Sequence, residues 1–343
     1  GGDSNGLGHP SGSLAVMSQV LREEQDLFAD LVGQSLAETL LRAALQQGRL
    51  APAYLFAGPE GVGRRLAVLR FLEGVLSEGQ CNPRQRRRLA ERNHPDLLWV
   101  EPSYSHQGRL LSRSEAEEAG VSRRTPPLVR LDQIRDISRF LSRQPLESSR
   151  GLVVLEEPEA MAEAAANALL KTLEEPGHGV LILLSAAPER LLSTIRSRCQ
   201  LIRLIQLSVE DMQSVLQRLP AEVDQESAKQ ALMQPELVAM AGGSPGALLG
   251  HVKQWSRVSA DLMGRLHALP TQPIEALGLA RDLTEALDGE QQLWLINWLQ
   301  QHHWREQKNE KILRKLEKLR VQLLSFVQPR LAWEVTFLDL MGL

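Results

Sequence analysis

The chain has 343 residues, of which 43% are hydrophobic and 24% charged, and its formal net charge is −3. This composition is typical of a globular protein of two or three domains, and it excludes a strong overall attraction to nucleic acid or to a membrane surface. The two cysteines, Cys81 and Cys199, exclude a disulfide-dense scaffold and favour a reducing compartment. Because the sequence has neither an apolar run of membrane-spanning length nor a signal-peptide profile, we expect a cytoplasmic protein.

The first half of the chain alternates between two kinds of pattern. Residues 1–27 open with the Gly- and Ser-rich stretch GGDSNGLGHPSGS and predict a disordered or poorly ordered tail. Between 28 and 207, continuous apolar runs predict buried strands at 53–58, 151–157, 179–187 and 199–207. Helical spacing separates the runs, as at 64–76 and 159–175. Apolar strands divided by helices predict an α/β domain with a parallel sheet covered on both faces.

Helical patterns dominate the second half of the chain. Residues 208–251 predict a small helical domain with short helices at 209–218 and 225–240. Residues 252–343 predict a helical bundle throughout. One apolar stripe along 311–327 consists of Ile312, Leu316, Leu319, Leu323 and Phe326. Such a stripe lies either in the core of the bundle or at the seam with a neighbouring subunit.

The stretch GPEGVGRR, which follows the strand predicted at 53–58, has the glycine spacing of a phosphate-binding loop. The glycines are Gly58, Gly61 and Gly63. The pattern G-x-x-x-x-G-K-[ST] places Lys and then Ser or Thr where this chain has Arg64 and Arg65. Arg has no acceptor atom for Mg²⁺, whereas the missing hydroxyl is a Mg²⁺ ligand. The stretch therefore predicts either a phosphate loop that has lost hydrolysis or a glycine-rich turn with two surface arginines.

The strand predicted at 151–157 ends in two acids. Glu156 and Glu157 stand where nucleotide-hydrolysing folds carry the acids associated with Mg²⁺, although an Asp is usual at the first position. Solvated acids are common at strand ends, so the two acids alone are weak evidence for a nucleotide site. The glycine loop that precedes them makes this interpretation stronger. Together, the loop and the acids favour a nucleotide-type fold.

Three longer stretches carry a family resemblance. They are FADLVGQSLAETLLRAALQQGRLAPAYLFAGPEGVG at 28–63, NALLKTLEEP at 167–176 and PERLLSTIRSRCQ at 188–200. In this order they resemble the bacterial clamp-loader AAA+ proteins, and the defective loop resembles that of the delta-prime subunits of DNA polymerase III. The resemblance implies an AAA+ α/β domain at 28–207, a helical lid at 208–251 and an oligomerising helical collar at 252–343.

The resemblance also implies roles for single residues of the nucleotide site. Gly33 and Gln34 match a segment near the adenine, and the loop glycines and the acid pair match the phosphate and Mg²⁺ sides. Ser185 falls near the γ-phosphate sensor, and Gly246 stands where active relatives carry a lid arginine. Because several hydrolytic elements are missing or weakened, we expect no required cofactor, and the case for ATP or ADP binding is weak.

Ser197 and Arg198 form, with Cys199, the sequence SRC, which matches the arginine-finger motif of the family. The resemblance implies that Arg198 acts on the nucleotide of a neighbouring subunit, where a finger stabilises charge on the transferred phosphoryl group. The alternative is an ordinary surface arginine in a loop before a strand.

Three functions follow from these features. The first is a non-hydrolysing clamp-loader subunit that binds tau/gamma and delta subunits through its collar and reaches the sliding clamp and primed DNA through the assembled complex. The second is an ATP-hydrolysing motor subunit with a variant loop. The third, a nucleotide-kinase type of enzyme, is disfavoured because it needs the loop Lys even more.

Other clusters predict no further chemistry. Family members carry a zinc module of four cysteines between the loop and the acids, but this chain has only Cys81 and His94 there, so we expect no zinc. The arginines between 84 and 88 and the basic segment 305–320 predict solvated helix faces. The pairs Trp294/Trp298 and His302/His303 predict packing and surface residues, respectively.

Overall fold

The computed structural model describes residues 26–121, 125–219 and 225–342, and the chain divides into two compact units between Gln206 and Leu207. Nearly all of the tail predicted at 1–27 lies outside the described residues. Leu27 is described and is buried in the core of the first unit, so ordered structure already includes this residue.

Strands and helices alternate through the first unit. In chain order they are α1 (Ser35–Gln47), β1 (Ala53–Ala57), α2 (Arg64–Leu76), α3 (Pro83–Ala90), β2 (Leu97–Val100), β3 (Ser103–His106), β4 (Arg109–Ser112), α4 (Arg113–Glu118), α5 (Leu131–Ser142), β5 (Leu152–Glu156), α6 (Glu163–Glu174), β6 (Val180–Ser185), α7 (Ser193–Arg196) and β7 (Gln200–Arg203). Short 3₁₀ turns at Pro158–Ala160 and Pro188–Arg190 follow β5 and β6.

The predicted parallel sheet is confirmed. Its strand order is β2-β5-β6-β1-β7, and every neighbouring pair is parallel. All residues of β1, β5 and β6 are buried, as their continuous apolar sequences require for a sheet covered on both faces. Alternate residues of β1 enter separate cores, since Tyr54 and Phe56 pack with α2 whereas Leu55 packs with α5 and α6.

Several boundaries differ from the predictions. The strand predicted at 199–207 is shorter, and the helix predicted at 159–175 begins only at Glu163, after the 3₁₀ turn. Neither β2 nor the antiparallel pair β3–β4 was predicted. These short strands are only partly buried, so their sequences lack the continuous apolar run that marks β1, β5 and β6.

The described residues of the second unit are helical. The helices are α8 (Val209–Gln217), α9 (Gln225–Leu232), α10 (Pro235–Ala241), α11 (Pro245–Arg257), α12 (Ala260–His267), α13 (Pro273–Ala286), α14 (Gly289–Gln307), α15 (Glu310–Leu324) and α16 (Pro329–Met341). The helical prediction for this region is confirmed. One hydrophobic cluster runs from Leu216 to Leu340, so helices of the predicted lid and collar share a core. The division into lid and collar stays a prediction.

Three expectations for the second unit were wrong. The basic segment 305–320 is not one helix face, because α14 ends at Gln307 and α15 begins at Glu310. Phe326 lies beyond the end of α15 with its side chain 99% exposed, whereas the first three members of the predicted stripe are buried. His302 and His303 are buried and are not surface residues, since the His302 ring stacks on Trp298 and the His303 ring packs against His302. None of the described helices combines the length and apolarity that a membrane crossing requires.

Candidate functional site

The loop between β1 and α2 contains the three predicted glycines. The Gly58 N–H donates to the Ser185 carbonyl at 3.2 Å, and a Cβ atom at Gly58 would lie 2.4 Å from the Leu204 carbonyl oxygen. Gly61 and Gly63 have φ values of +75° and +102°, which side chains with a Cβ rarely adopt. These glycines let the loop turn tightly from the end of β1 into the first turn of α2.

The side chain of Gln34 is hydrogen-bonded to this loop. Its side-chain amide donates to the Val62 carbonyl at 3.1 Å and to the Ile205 carbonyl at 2.8 Å, while its oxygen accepts from the Ile205 N–H at 2.9 Å. The side chain is buried, and its amide atoms bond to backbone. Gln34 therefore fastens the loop to the chain that follows β7.

The two arginines of the loop have different surroundings. Arg65 donates from Nε and one terminal nitrogen to the same Glu156 oxygen, at 3.0 and 2.5 Å. The Arg64 side chain is only 13% exposed, and its guanidinium lies 3.9 Å from the exposed carboxylate of Glu60. Burial lowers the pKa of Arg64, opposed chiefly by the charge of Glu60. The alternative of two surface arginines is therefore wrong for Arg64, whose side chain is largely enclosed.

The acids after β5 also meet an arginine and a serine. Glu157 adopts a positive φ of 50°, and its carboxylate lies 3.5 Å from the guanidinium of Arg113, at the start of α4. Burial raises the pKa of Glu157, against the opposing charge of Arg113. Ser185, the predicted sensor, is fully buried and donates to the carboxylate of Glu159 at 2.7 Å.

The loop borders a cavity of about 600 Å³ that is lined by arginines and acids. Its arginines are Arg64, Arg65, Arg92 and Arg113, and its acids are Glu60, Glu101, Glu156 and Glu157. Each arginine lies within ion-pair distance of one of these acids. In a hydrolysing protein with this kind of loop, the loop hydroxyl and an acid at the strand end would hold a Mg²⁺ ion. The residues present do not fit this ion, because Arg65 replaces the hydroxyl and covers Glu156.

Arg198 and Ser197 lie elsewhere, in the turn between α7 and β7. Arg198 donates to the Thr194 carbonyl at 2.9 Å and to the Glu174 carboxylate at 3.3 Å, and its side chain is 38% exposed. The Ser197 hydroxyl donates to the same Thr194 carbonyl at 3.1 Å. Because β1 and β7 are parallel, this turn is at the amino end of the sheet, whereas Gly58 follows its carboxyl end. Arg198 is therefore separate from the loop cavity of its own chain.

The arginines of α3 were predicted to lie on a solvated helix face, and this prediction is wrong for Arg86 and Arg88. Arg86 bonds the fully buried carboxylate of Glu73 at 2.6 Å, and Arg88 lies 2.8 Å from Glu147. No sequence pattern indicated the role of Glu73, which lies in α2 between Leu72 and Gly74. Gly246, where a lid arginine was predicted to be missing, lies in the first turn of α11.

The residues considered for zinc serve other contacts. Cys81 lies 3.8 Å from a terminal nitrogen of Arg86, and His94 accepts from the Asp96 N–H through Nδ1. Among the residues that the structure describes, no three His, Cys, Asp or Glu side chains group as metal ligands. The predicted absence of zinc stays a prediction.

The parallel sheet, the glycine loop after β1 and the acid pair after β5 define the AAA+ P-loop class. Within this class, residues 33–208 match the family described as DNA polymerase III, delta subunit, and residues 210–340 match the cyanobacterial DNA polymerase III delta prime C-terminal domain. The chain belongs to the delta-prime family of bacterial DNA polymerase III clamp-loader subunits.

The proteins that this chain resembles include two DNA polymerase III subunits. The chain is 36% identical over 205 residues to the DNA polymerase III subunit delta' of Pseudomonas aeruginosa, covering 57% of this chain and 54% of the relative. It is 27% identical over 286 residues to the tau subunit of Escherichia coli, covering 79% and 40%. The chain thus spans about half or less of the length of these curated relatives. A gamma-subunit-related protein of Thermotoga maritima aligns in structure over 89% of this chain and 98% of its own, at 19% identity and a TM-score of 0.44.

Proposed function

We propose that this protein is a non-hydrolysing subunit of the DNA polymerase III clamp loader that supplies Arg198 to the ATP site of a neighbouring subunit. The observation that carries the proposal is the position of Arg198. Its guanidinium is partly exposed at the amino end of edge strand β7, on the opposite end of the sheet from its own loop.

The contacts of Arg198 suit a side chain that acts on a partner. Its carboxylate partner, Glu174, is 55% exposed, so the ion pair between them is weak and easily exchanged for another. A phosphate offers the guanidinium a stronger, bidentate contact. Ser197 orders the turn through Thr194, which keeps the base of the arginine in place.

The loop supports a subunit without its own hydrolysis. Hydrolysis needs a hydroxyl on Mg²⁺ and an acid beside it, and here the hydroxyl is replaced by Arg65 and the acid Glu156 is its hydrogen-bond acceptor. The motor alternative, to which the likeness to tau subunits would point, requires both groups. ATP and ADP are therefore not required for this subunit to work, and neither is zinc.

The partners follow from membership of the family. We infer that the helical second unit joins the tau/gamma and delta subunits, and that the sliding clamp and primed DNA are met through the assembled complex in the cytoplasm. Exposed apolar side chains at the end of the second unit support a protein partner there; they are Leu324, Phe326, Leu331, Val335 and Leu338.

The test compares complexes reconstituted with wild-type or Arg198→Ala protein, using ATPase rates at saturating clamp and primed DNA. We expect assembly to be unchanged and ATP hydrolysis to fall, because one of the composite sites loses its finger. Arg196→Ala is the matched control, since Arg196 is an exposed arginine at the end of α7, two residues before Arg198, and should leave the rate unchanged. Equal rates for wild type and Arg198→Ala, with assembly verified, would remove the finger role.

A further inference from the structure

The Arg65 side chain reaches from the first turn of α2 to Glu156, which stands where hydrolysing proteins of this fold carry an acid that binds Mg²⁺. Its guanidinium is bonded twice to one oxygen of Glu156, whose side chain is only 10% exposed. A carboxylate that is removed from water needs a positive partner. In hydrolysing relatives of this fold that partner is Mg²⁺, whereas here it belongs to the chain itself.

A second carboxylate adjoins the first. β2 and β5 pair in register with Val100 beside Leu155, so the next residues, Glu101 and Glu156, leave adjacent strands side by side. Burial raises the pKa of Glu101, but the hydrogen bond and charge of Arg92, the contact with Glu156 and the charge of Arg65 outweigh burial and lower it. Two carboxyl groups therefore share one corner of the cavity.

A third carboxylate, that of Glu157, lines the same cavity. Glu157 faces Arg113, which belongs to α4 and is 54% exposed. Each of these three acids thus lies beside an arginine. Without Arg65, Glu101 and Glu156 would form a pair of oxygen ligands of the kind that Mg²⁺ and Mn²⁺ prefer.

We propose that the Arg65 guanidinium is a built-in replacement for the divalent cation: it neutralises Glu156 and keeps metal ions out of the carboxylate corner that the strand ends of β2 and β5 create. The inference rests on the proposed non-hydrolysing role of this loop. It accounts for the position of Glu101 and Glu156 side by side at the ends of β2 and β5, since Arg65 supplies a positive charge next to Glu156.

The test measures Mn²⁺ binding to the isolated full-length chain by the electron paramagnetic resonance signal of free Mn²⁺. Wild-type protein should show no binding that depends on Glu156. Arg65→Thr removes the guanidinium and supplies a hydroxyl, so it should bind one Mn²⁺ at least about tenfold more tightly than wild type. The gain should disappear in Arg65→Thr/Glu156→Gln. Because Arg65 is 61% exposed, its replacement should preserve the fold, which circular dichroism checks.

Arg64→Thr is the matched control. It removes an equal charge from the neighbouring loop position, but Arg64 is paired with Glu60 and not with Glu156. It should therefore gain no Mn²⁺ site. Binding by wild type that is lost in Glu156→Gln overturns the inference, whatever the variants of Arg65 do. A folded Arg65→Thr that gains no site, or an equal gain in Arg64→Thr, also overturns it. These outcomes leave the finger role of Arg198 untouched, because that role is measured only in the assembled complex.

Discussion

The carboxylate of Asp96 accepts two hydrogen bonds from Ser148, one from its backbone N–H at 2.7 Å and one from its hydroxyl at 3.0 Å. The same buried carboxylate accepts the backbone N–H groups of Leu146 and Glu147 at 2.6 and 2.8 Å. Burial alone would raise the pKa of Asp96, but the hydrogen bonds outweigh it and lower the pKa to about 2. One side chain therefore fixes the loop that leads into β5 and its acids.

Asp96→Ala should lower the free energy of unfolding by about 2 to 3 kcal/mol, because it leaves the N–H groups of this loop without their acceptor. Urea denaturation measures the change. Asp132→Ala is the control, since the Asp132 side chain is 80% exposed and should change stability by less than about 0.5 kcal/mol. Folding lowers the pKa of Asp96. The stability that its carboxylate contributes is therefore complete above pH 3.8 and is lost as the pH falls through about 2.

Arg86→Ala should destabilise the first unit because it removes the main partner of a buried charge. Glu73 has no exposed surface, and its remaining partners among the described residues are the Asn82 N–H at 2.9 Å and the more distant guanidinium of Arg70, at 3.7 Å. We expect a loss of about 2 to 3 kcal/mol in the free energy of unfolding, somewhat below the full cost of an unpaired buried charge.

Arg87→Ala is the matched control for this loss. Arg87 is the next residue of α3 and is exposed, so its replacement should change the free energy of unfolding by less than about 0.5 kcal/mol. Equal effects of the two variants in urea denaturation would show that Arg86 is also an ordinary surface arginine.

The stability of the second unit should depend on the protonation of His303. Burial lowers the pKa of His303 to about 4, with smaller contributions from His302 and His267. Its folded pKa is below the ordinary value of 6.5, so the unfolded chain takes up the proton first. Stability is therefore complete above pH 6.5 and decreases as the pH falls towards 4.

His303→Gln should flatten this part of the stability profile, because the variant has no imidazole to protonate. Thermal melts at a series of pH values measure the slope. His178→Gln is the control, since His178 is exposed and its replacement should leave the slope unchanged. An unaltered slope in His303→Gln would assign the pH dependence to other groups.

The sequence predicted the parts of the molecule whose signal is local. The strands β1, β5 and β6 are continuous apolar runs, and the glycines of the loop are needed for its turn, so pattern alone located them. The burial of His303 was not predictable in this way. His303 lies between His302 and Trp304 in the sequence, a pattern that does not distinguish a buried ring from an exposed one. Only the fold, in which its ring packs on His302 and His302 packs on His267 of α12, shows that the ring is enclosed.

The candidate site shows the same limit. Glu156 was predicted as a metal-side acid and Arg65 as a defect of the loop, yet they are 91 residues apart in sequence and meet only in the fold. Neither segment contains a sequence pattern that predicts the ion pair between Arg65 and Glu156. Arg113 and Glu101 were not predicted at all, because they follow β4 and β2, the short strands whose sequences are not distinctive.

Arg198→Lys should rescue the finger poorly. A lysine keeps the positive charge, but its ammonium is a point charge and cannot make the planar, bidentate contact that a guanidinium makes with phosphate oxygens. An arginine finger contributes about 10³ to 10⁵ in rate at the site that it completes. The DNA-stimulated ATPase of a complex with Arg198→Lys should therefore lie closer to that of Arg198→Ala than to wild type.

Arg196→Lys makes the same exchange two residues away and should leave the ATPase rate at its wild-type value. Both lysine variants should fold normally, because the replaced side chains are exposed, and Arg198 gives up only a weak ion pair with Glu174. A complex with Arg198→Lys that hydrolyses ATP at the wild-type rate would mean that charge alone is sufficient, and that Arg198 does not contact the transferred phosphoryl group directly.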